Sequence, residues 1–244
     1  MLDIHSHILP AIDDGAKNIE TSVQLLKLMR DQGITHVITT PHFDLISQNV
    51  DDFRKKVNHA YKELDAACEN LDLPKVGVGS EVFYFPGIGK SETIYDLTLC
   101  GSKYILLELP NEKISNDILA DIEHLRHQLN LIPIIAHIER YSSERGFKKL
   151  LKLVSEGEAY AQINAASLID SPHKKTVLKL IKRGYISFIA TDTHSLNKRP
   201  PKMREALAEI ERVFGSNYKN MFVHNSEKLC KEIFRVYGDI NNEE

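Results

Sequence analysis

The chain begins with MLDIHSHILPAIDDGAK (residues 1–17), which predicts a short apolar strand running directly into the HSH motif at residues 5–7. A helix should follow, because Asn18 is a suitable N-cap, apolar residues recur at helical spacing, and Gly33 suits the position after a helix C-terminus. The β-branched segment ITHVITT (residues 34–40) then predicts a second strand. This strand–helix–strand order is typical of a βα unit with parallel strands.

The same alternation of strand and helix patterns continues along the whole chain. We predict seven strands, at residues 2–5, 34–40, 75–81, 103–109, 131–137, 158–164 and 185–192. Helical patterns separate most of them, and two more helices are expected near residues 202–214 and 226–237. Repeated βα units in this number indicate an α/β fold with a parallel sheet, either a closed barrel or a doubly wound sheet. The stretches 41–50 and 82–102 lack clear periodicity, and we expect them to be functional loops.

Composition excludes several classes of partner. The chain has 244 residues, 42% of them hydrophobic and 27% charged, with a formal net charge of -3. This charge gives no reason to expect a nucleic acid or an anionic membrane as partner. No apolar run is long enough to span a bilayer, and the first residues do not resemble a signal peptide. The three cysteines form no CxxC pair, so we expect a reduced, cytoplasmic protein.

Potential metal ligands stand at the C-terminal ends of six of the seven predicted strands. They are His5 and His7, His42, Glu81, Glu108, His137, and Asp192 with His194. Asp14, on the loop after the first strand, is a further candidate. In parallel βα architectures this edge of the sheet carries the active site. The sixth strand ends in Asn164, which is polar but a poor ligand.

These nine side chains predict a polynuclear metal centre. So many histidines and carboxylates on one rim would be costly without a cation to compensate them. Nine ligands exceed what one ion can use, so two or three ions are expected, with a carboxylate such as Glu108 bridging them. A single histidine at a strand end is usually only a polar surface residue, and the prediction depends on the combined pattern. We interpret the remaining histidines as structural or solvated: His36, His59, His124, His127, His173 and His224.

Two arginines follow predicted ligands closely and suggest a phosphate site. Arg140 lies three residues after His137, and Arg199 lies five after His194. A guanidinium fork matches phosphate oxygens, although a loop arginine is more commonly solvated or paired with an acid. The sequence has no Cys-x5-Arg, GxxxxGK[ST] or GxSxG motif. The nucleophile is therefore expected to be water activated by metal and not a side chain.

The segments DIHSHILPAIDDGAK, TTPHF, GSEV, LLELP, AHIERY and ATDTHS, in this order, resemble the polymerase and histidinol phosphatase (PHP) superfamily. More closely they resemble its bacterial protein-tyrosine phosphatase branch, the CpsB/YwqE type of capsule and exopolysaccharide systems. The resemblance covers essentially the whole chain. It departs at Ile138, where the family usually has proline, and in the TDTHS segment, where the usual motif is Ser-Asp-x-His-Asn.

The resemblance implies a single distorted (β/α)7 barrel domain over residues 1–244. It implies three divalent ions, often Mn²⁺ in this family, with Fe, Zn and Mg as other options, held by the nine ligands named above. It also implies that Arg140 and Arg199 hold the phosphate, and that the substrate is the phosphotyrosine tail of a bacterial tyrosine kinase. His42 or His194 is a candidate acid for the leaving group. The role implied is control of polysaccharide chain length or export.

Three other functions remain open at this point. A small-molecule phosphoesterase of the same superfamily, such as a histidinol phosphatase, would use the same centre. A nuclease or proofreading role is weaker, because no basic stripe is visible. A non-catalytic binding protein would fit better if ligands were missing from the pattern.

Overall fold

The computed structural model describes residues 1–169 and 171–241, and within these ranges it contains nine strands and seven α-helices. The strands are β1 Leu2–Asp3, β2 His36–Thr39, β3 His42–Phe43, β4 Lys75–Val78, β5 Glu81–Phe83, β6 Tyr104–Glu108, β7 Ile132–Ile135, β8 Tyr160–Asn164 and β9 Phe188–Ala190. The helices are α1 Ile19–Asp31, α2 Val50–Cys68, α3 Asn116–His127, α4 Phe147–Glu156, α5 Lys174–Lys182, α6 Met203–Phe214 and α7 Ser216–Asn241.

The strands form a distorted seven-position barrel in which every pairing between them is parallel. One sheet has the order β1-β2-β4, and the other has the order β3-β5-β6-β7-β8-β9. The short strands β3 and β5 continue the positions of β2 and β4, because each pair is separated by only two residues. The first and last positions meet where Ser6 bridges Thr193 and the His7 N–H donates to the Thr193 carbonyl at 2.9 Å. The predicted (β/α)7 barrel is therefore confirmed.

Two of the barrel positions are broken into two short strands each, and several strands are shorter than predicted. Pro41 lacks an N–H and interrupts the second position, while the third breaks at Gly79, where a Cβ would lie only 2.7 Å from the Leu99 side chain. Strand ends are shortened where the chain turns toward the rim, as at His137 and Asp192 with φ of 30° and 50°.

The expected loops also contain regular structure. Stretch 41–50 includes β3, and stretch 82–102 includes most of β5 and the 3₁₀ helices Ile88–Lys90, Glu92–Leu97 and Leu99–Gly101. Elements this short leave no readable periodicity. The last helix was predicted near residue 226 but begins at Ser216, and its first turn stacks Tyr218 on Phe214 at a ring distance of 5.0 Å.

The barrel interior is apolar at one end and polar at the other. Leu106, Ile134 and Ala190 fill its lower part, and Leu229 and Ile233 of α7 pack with them. A second apolar layer lies between the strands and the surrounding helices. Since residues two apart on a strand face the same way, the next inward positions carry the polar side chains of the rim. No helix in the described ranges combines the length and apolar character needed to cross a membrane.

Candidate metal centre

The nine predicted ligands all lie at the C-terminal end of the barrel, and we call them the rim cluster. They are His5, His7, Asp14, His42, Glu81, Glu108, His137, Asp192 and His194. Six of them are buried, whereas Glu108 and His42 are partly exposed and the Asp14 side chain is 66% exposed. A buried set of this composition next to an open edge can hold ions and still admit a substrate.

Glu81 occupies the middle of the rim cluster. Its Oε2 lies 3.0 Å from His42 Nδ1, 3.1 Å from His5 Nε2 and 3.3 Å from His7 Nε2. Its Oε1 lies 2.9 Å from His137 Nε2. Glu81 therefore contacts four histidines of the cluster, and the parallel pairing of β3 with β5 sets His42 directly opposite it.

The ligand atoms fall into three overlapping groups within the described residues. In each group the atoms lie within 4.8 Å of one another: His7, Asp14, His42 and His194; His5, His7 and Glu81; His42, Glu81 and Glu108. The two other predicted ligands adjoin these groups, since Asp192 Oδ1 is 3.4 Å from His5 Nε2 and His137 contacts Glu81. The six histidines interpreted as structural belong to none of the three groups.

Unsatisfied atoms inside the cluster fit bound cations. His194 donates from Nδ1 to the Asp192 carbonyl at 3.0 Å, which leaves its Nε2 as an acceptor, and that buried atom has no hydrogen-bond partner. Glu81 Oε2 is also buried, and none of the histidine nitrogens around it is aligned for a hydrogen bond. His5 and His7 direct their Nε2 atoms at each other across 3.2 Å. Buried acceptors that converge without donors are what a metal site requires.

The pKa values of the clustered side chains also indicate a site that binds positive charge. Burial lowers the pKa of His5, but the charges of Glu81 and Asp192 raise it to about 9. Burial raises the pKa of Glu81, yet the surrounding histidines hold it well below its ordinary range. For Asp192, the charges of His5 and Arg199 likewise outweigh burial and lower the pKa. A divalent cation can displace the protons that these histidines otherwise bind.

Two predicted ligands have a strained backbone. His137 and Asp192 both lie in the left-handed region, with φ of 30° and 50°. Such a conformation costs a non-glycine residue about 1–3 kcal/mol and persists only where the surroundings fix it. The Asp192 N–H donates to the His5 carbonyl at 2.9 Å, and the His137 N–H donates to Gln162 Oε1 at 2.8 Å. The strain is therefore held by hydrogen bonds across the barrel.

The two predicted phosphate-binding arginines converge on one side of the rim cluster. Arg140 Nη2 and Arg199 Nη2 lie 2.9 Å and 2.6 Å from Asp192 Oδ2. Each side chain is about 40% exposed, so nitrogens of both forks remain accessible from solvent. Two positively charged guanidinium groups therefore lie at the mouth of the site, beside the candidate metal ligands.

Asp13 is a site residue that the sequence reasoning missed, because it considered only Asp14 of this pair as a ligand. Asp13 Oδ2 accepts a hydrogen bond from His7 Nδ1 at 2.7 Å and from the His42 N–H at 3.1 Å. It thereby leaves His7 Nε2 directed into the cluster. Gly15 makes this fold of the loop possible, since a Cβ there would lie 2.1 Å from the His7 carbonyl oxygen. The DDG run was the only available signal.

Comparisons with known proteins agree with this geometry. Residues 1–231 match the family model described as "Capsular polysaccharide synthesis, CpsB/CapC". The chain is 33% identical to "Tyrosine-protein phosphatase YwqE" of Bacillus subtilis (strain 168), covering 96% of this chain and 94% of that protein. It is 29% identical to "Tyrosine-protein phosphatase CpsB" of Streptococcus agalactiae serotype III, covering 95% and 98%.

Structural similarity extends over the same length. The chain matches a structure from work on YwqE of Bacillus subtilis and CpsB of Streptococcus pneumoniae, described as "unique metal-dependent tyrosine phosphatases". The TM-score is 0.84 at 31% identity, and the match covers 95% of each chain. This agreement in sequence and fold, together with the rim cluster, identifies the chain as a member of the CpsB/CapC family of capsular polysaccharide synthesis.

Proposed function

We propose that this chain is a metal-dependent protein-tyrosine phosphatase that acts on the phosphotyrosine tail of a bacterial tyrosine kinase. The observation that carries the proposal is the rim cluster itself, with Glu81 at its centre and two arginines at its edge. The names of its relatives support the choice of phosphotyrosine. The family description supports a role in regulating capsule or exopolysaccharide synthesis.

The nine residues of the rim cluster are proposed to hold three divalent ions. Imidazole and carboxylate donors suit manganese, iron and zinc, and we propose Mn²⁺ as the activating ion. When bound, the ions supply a water nucleophile and electrostatic stabilisation of phosphoryl oxygens.

The side chains of the rim have separate roles in this proposal. Arg140 and Arg199 bind the phosphate oxygens from the mouth and orient the ester for in-line attack. The tyrosyl leaving group has a pKa of about 10, so a proton donor assists its departure. A ring nitrogen of His42 that does not bind metal suits this role better than one of His194, because the His42 side chain is 41% exposed whereas that of His194 is 3% exposed.

Cysteine chemistry has no support at this site. Cys100 packs within the lower barrel cluster, with Cys230 against it, and burial raises the pKa of the Cys100 thiol to about 12. A thiol with that pKa is protonated at neutral pH and is a weak nucleophile. We propose a cytoplasmic location, where these thiols would stay reduced.

Metal removal and readdition test the proposed function. Chelated protein should lose phosphate release from a phosphotyrosyl peptide, and Mn²⁺ should restore it. His7→Ala should lower turnover by about 100-fold or more, because it removes a predicted ligand. His224→Ala is the matched control, since His224 is exposed on α7.

The choice of substrate tests the assignment further. We expect a higher kcat/KM for the phosphotyrosyl peptide than for histidinol phosphate, and the reverse order would favour the small-molecule phosphoesterase. Near-wild-type turnover of p-nitrophenyl phosphate by His7→Ala would contradict the metal centre. Full activity after chelation would do the same.

A further inference from the structure

The sixth barrel position supplies no metal ligand, yet two of its amides lie inside the site. Gln162 and Asn164 are two residues apart on β8, so both side chains face the barrel interior. Gln162 is fully buried and Asn164 is 7% exposed. A buried amide must satisfy its donors and acceptors, so the partners of these two groups determine their orientation.

One backbone hydrogen bond fixes the orientation of both side-chain amides. The His137 N–H can only donate, and it lies 2.8 Å from Gln162 Oε1, so this atom is the amide oxygen. His5 Nδ1 lies 3.2 Å from the same oxygen and must therefore carry a proton. The neutral His5 ring then has its lone pair on Nε2, the atom that faces Glu81, His7 and Asp192.

The opposite end of the Gln162 amide continues the chain toward Asp192. Gln162 Nε2 donates to Asn164 Oδ1 at 2.9 Å, which leaves Asn164 Nδ2 to donate to Asp192 Oδ2 at 2.6 Å. Asp192 Oδ2 is thus occupied by Asn164 and the two arginines. Asp192 Oδ1 is left facing His5 Nε2 at 3.4 Å, inside the rim cluster.

We propose that Gln162 and Asn164 are positioning residues, which form an amide relay that sets the tautomer of His5 and the orientation of the Asp192 carboxylate for metal binding. If the Gln162 amide were flipped by 180°, its NH₂ group would point at the His137 N–H, and neither donor would have an acceptor. Partners of this kind fix the ring orientation and basicity of metal-binding histidines. The proposal rests on the metal centre proposed above.

Three variants test the two steps of the relay separately, two of them at Gln162 and one at Asn164. Gln162→Met keeps the size of the side chain but removes both amide functions. Gln162→Glu keeps an acceptor for the His137 N–H and for His5 Nδ1. Asn164→Asp keeps the acceptor for Gln162 but sets an oxygen against Asp192 Oδ2. Gln128→Met is the matched control, because Gln128 is exposed at the end of α3.

The first readout is the ¹⁵N spectrum of the His5 ring in metal-free protein, assigned by the signals lost in His5→Asn. It is recorded at alkaline pH, so that the ring carries a single proton. The wild type and Gln162→Glu should show a protonated Nδ1, and Gln162→Met should shift toward a protonated Nε2. The second readout is Mn²⁺ affinity by chelator competition, which should fall by about 10–100-fold in Gln162→Met and Asn164→Asp.

The outcomes distinguish this proposal from the proposed function. Wild-type ring signals together with wild-type Mn²⁺ affinity in Gln162→Met would overturn the relay. If Gln162→Met does not fold, a loss of the protonated Nδ1 in Gln162→Glu, or unchanged Mn²⁺ affinity in Asn164→Asp, overturns it instead. If the wild type binds no Mn²⁺, the proposed function fails, and the His5 tautomer still decides whether the relay exists.

Discussion

Replacing Asp13 by asparagine tests whether a residue outside the predicted ligand set controls the metal centre. Asp13 accepts hydrogen bonds at both oxygens: Oδ2 from His7 Nδ1 and the His42 N–H, and Oδ1 from the Gly15 N–H at 2.9 Å. An asparagine amide has only one oxygen, so one end must present an NH₂ group to a donor. The variant should therefore lose either the hydrogen bond that orients His7 or the one that holds the loop before α1.

The pKa of Asp13 gives the magnitude of the expected change in stability. Burial raises this pKa, but hydrogen bonds from His7, Gly15 and His42 and the charge of His7 lower it from 3.8 to about 2. At 1.36 kcal/mol per pKa unit, the carboxylate form is stabilised by about 2 kcal/mol in the folded protein. Because the folded pKa is depressed, this stabilisation is present above pH 3.8 and is lost as the pH falls toward about 2.

The assay is Mn²⁺ affinity measured by chelator competition at neutral pH, with chemical denaturation of the metal-free protein beside it. We expect Asp13→Asn to bind Mn²⁺ about 10–100-fold more weakly, because a partner that orients a metal-binding histidine is lost. Its deficit in the free energy of unfolding, about 2 kcal/mol at neutral pH, should shrink between about pH 4 and pH 2. Asp65→Asn, on the exposed face of α2, is the control. Wild-type Mn²⁺ affinity in folded Asp13→Asn would refute the reasoning.

Three further predictions concern the phosphate, the leaving group and the barrel core. Arg140→Lys should raise KM for p-nitrophenyl phosphate by about 10-fold, because lysine cannot form the bidentate fork; an unchanged KM would argue against phosphate binding by Arg140. His42→Asn removes a predicted ligand and should slow both esters, but it should slow hydrolysis of phenyl phosphate about 100-fold more than that of p-nitrophenyl phosphate, because p-nitrophenolate leaves without a proton; equal losses on both esters would exclude His42 as the acid. Leu106→Ala should lower the free energy of unfolding by about 3 kcal/mol in chemical denaturation, since Leu106 is fully buried in the barrel, and a loss below about 1 kcal/mol would contradict that packing.

Several features of the fold could be read from local pattern alone. Asn18 caps α1 as predicted, its side chain accepting from the Thr21 N–H at 2.9 Å, and Gly33 follows that helix with φ of 84°. The seven barrel positions were also predictable, because apolar runs and helical periodicity depend on neighbouring residues. The strand interruptions at Pro41 and Gly79 were not predicted, and the one at Gly79 involves close packing against Leu99, a residue distant in the sequence.

The sequence by itself determined which side chains reach the rim, because the end of a parallel strand delivers its last polar residue to the same edge of the barrel whatever the remaining packing. It did not determine how those side chains meet. Glu81 takes the central position through the register of β3 and β5, and Asp13 reaches His7 only because the loop folds back at Gly15. Gln162 and Asn164 contact His5 and Asp192 across residue separations of 157 and 28. Contacts of that kind depend on barrel closure and strand register. The local repeat of apolar and polar residues does not encode either, so only the tertiary structure decided these contacts.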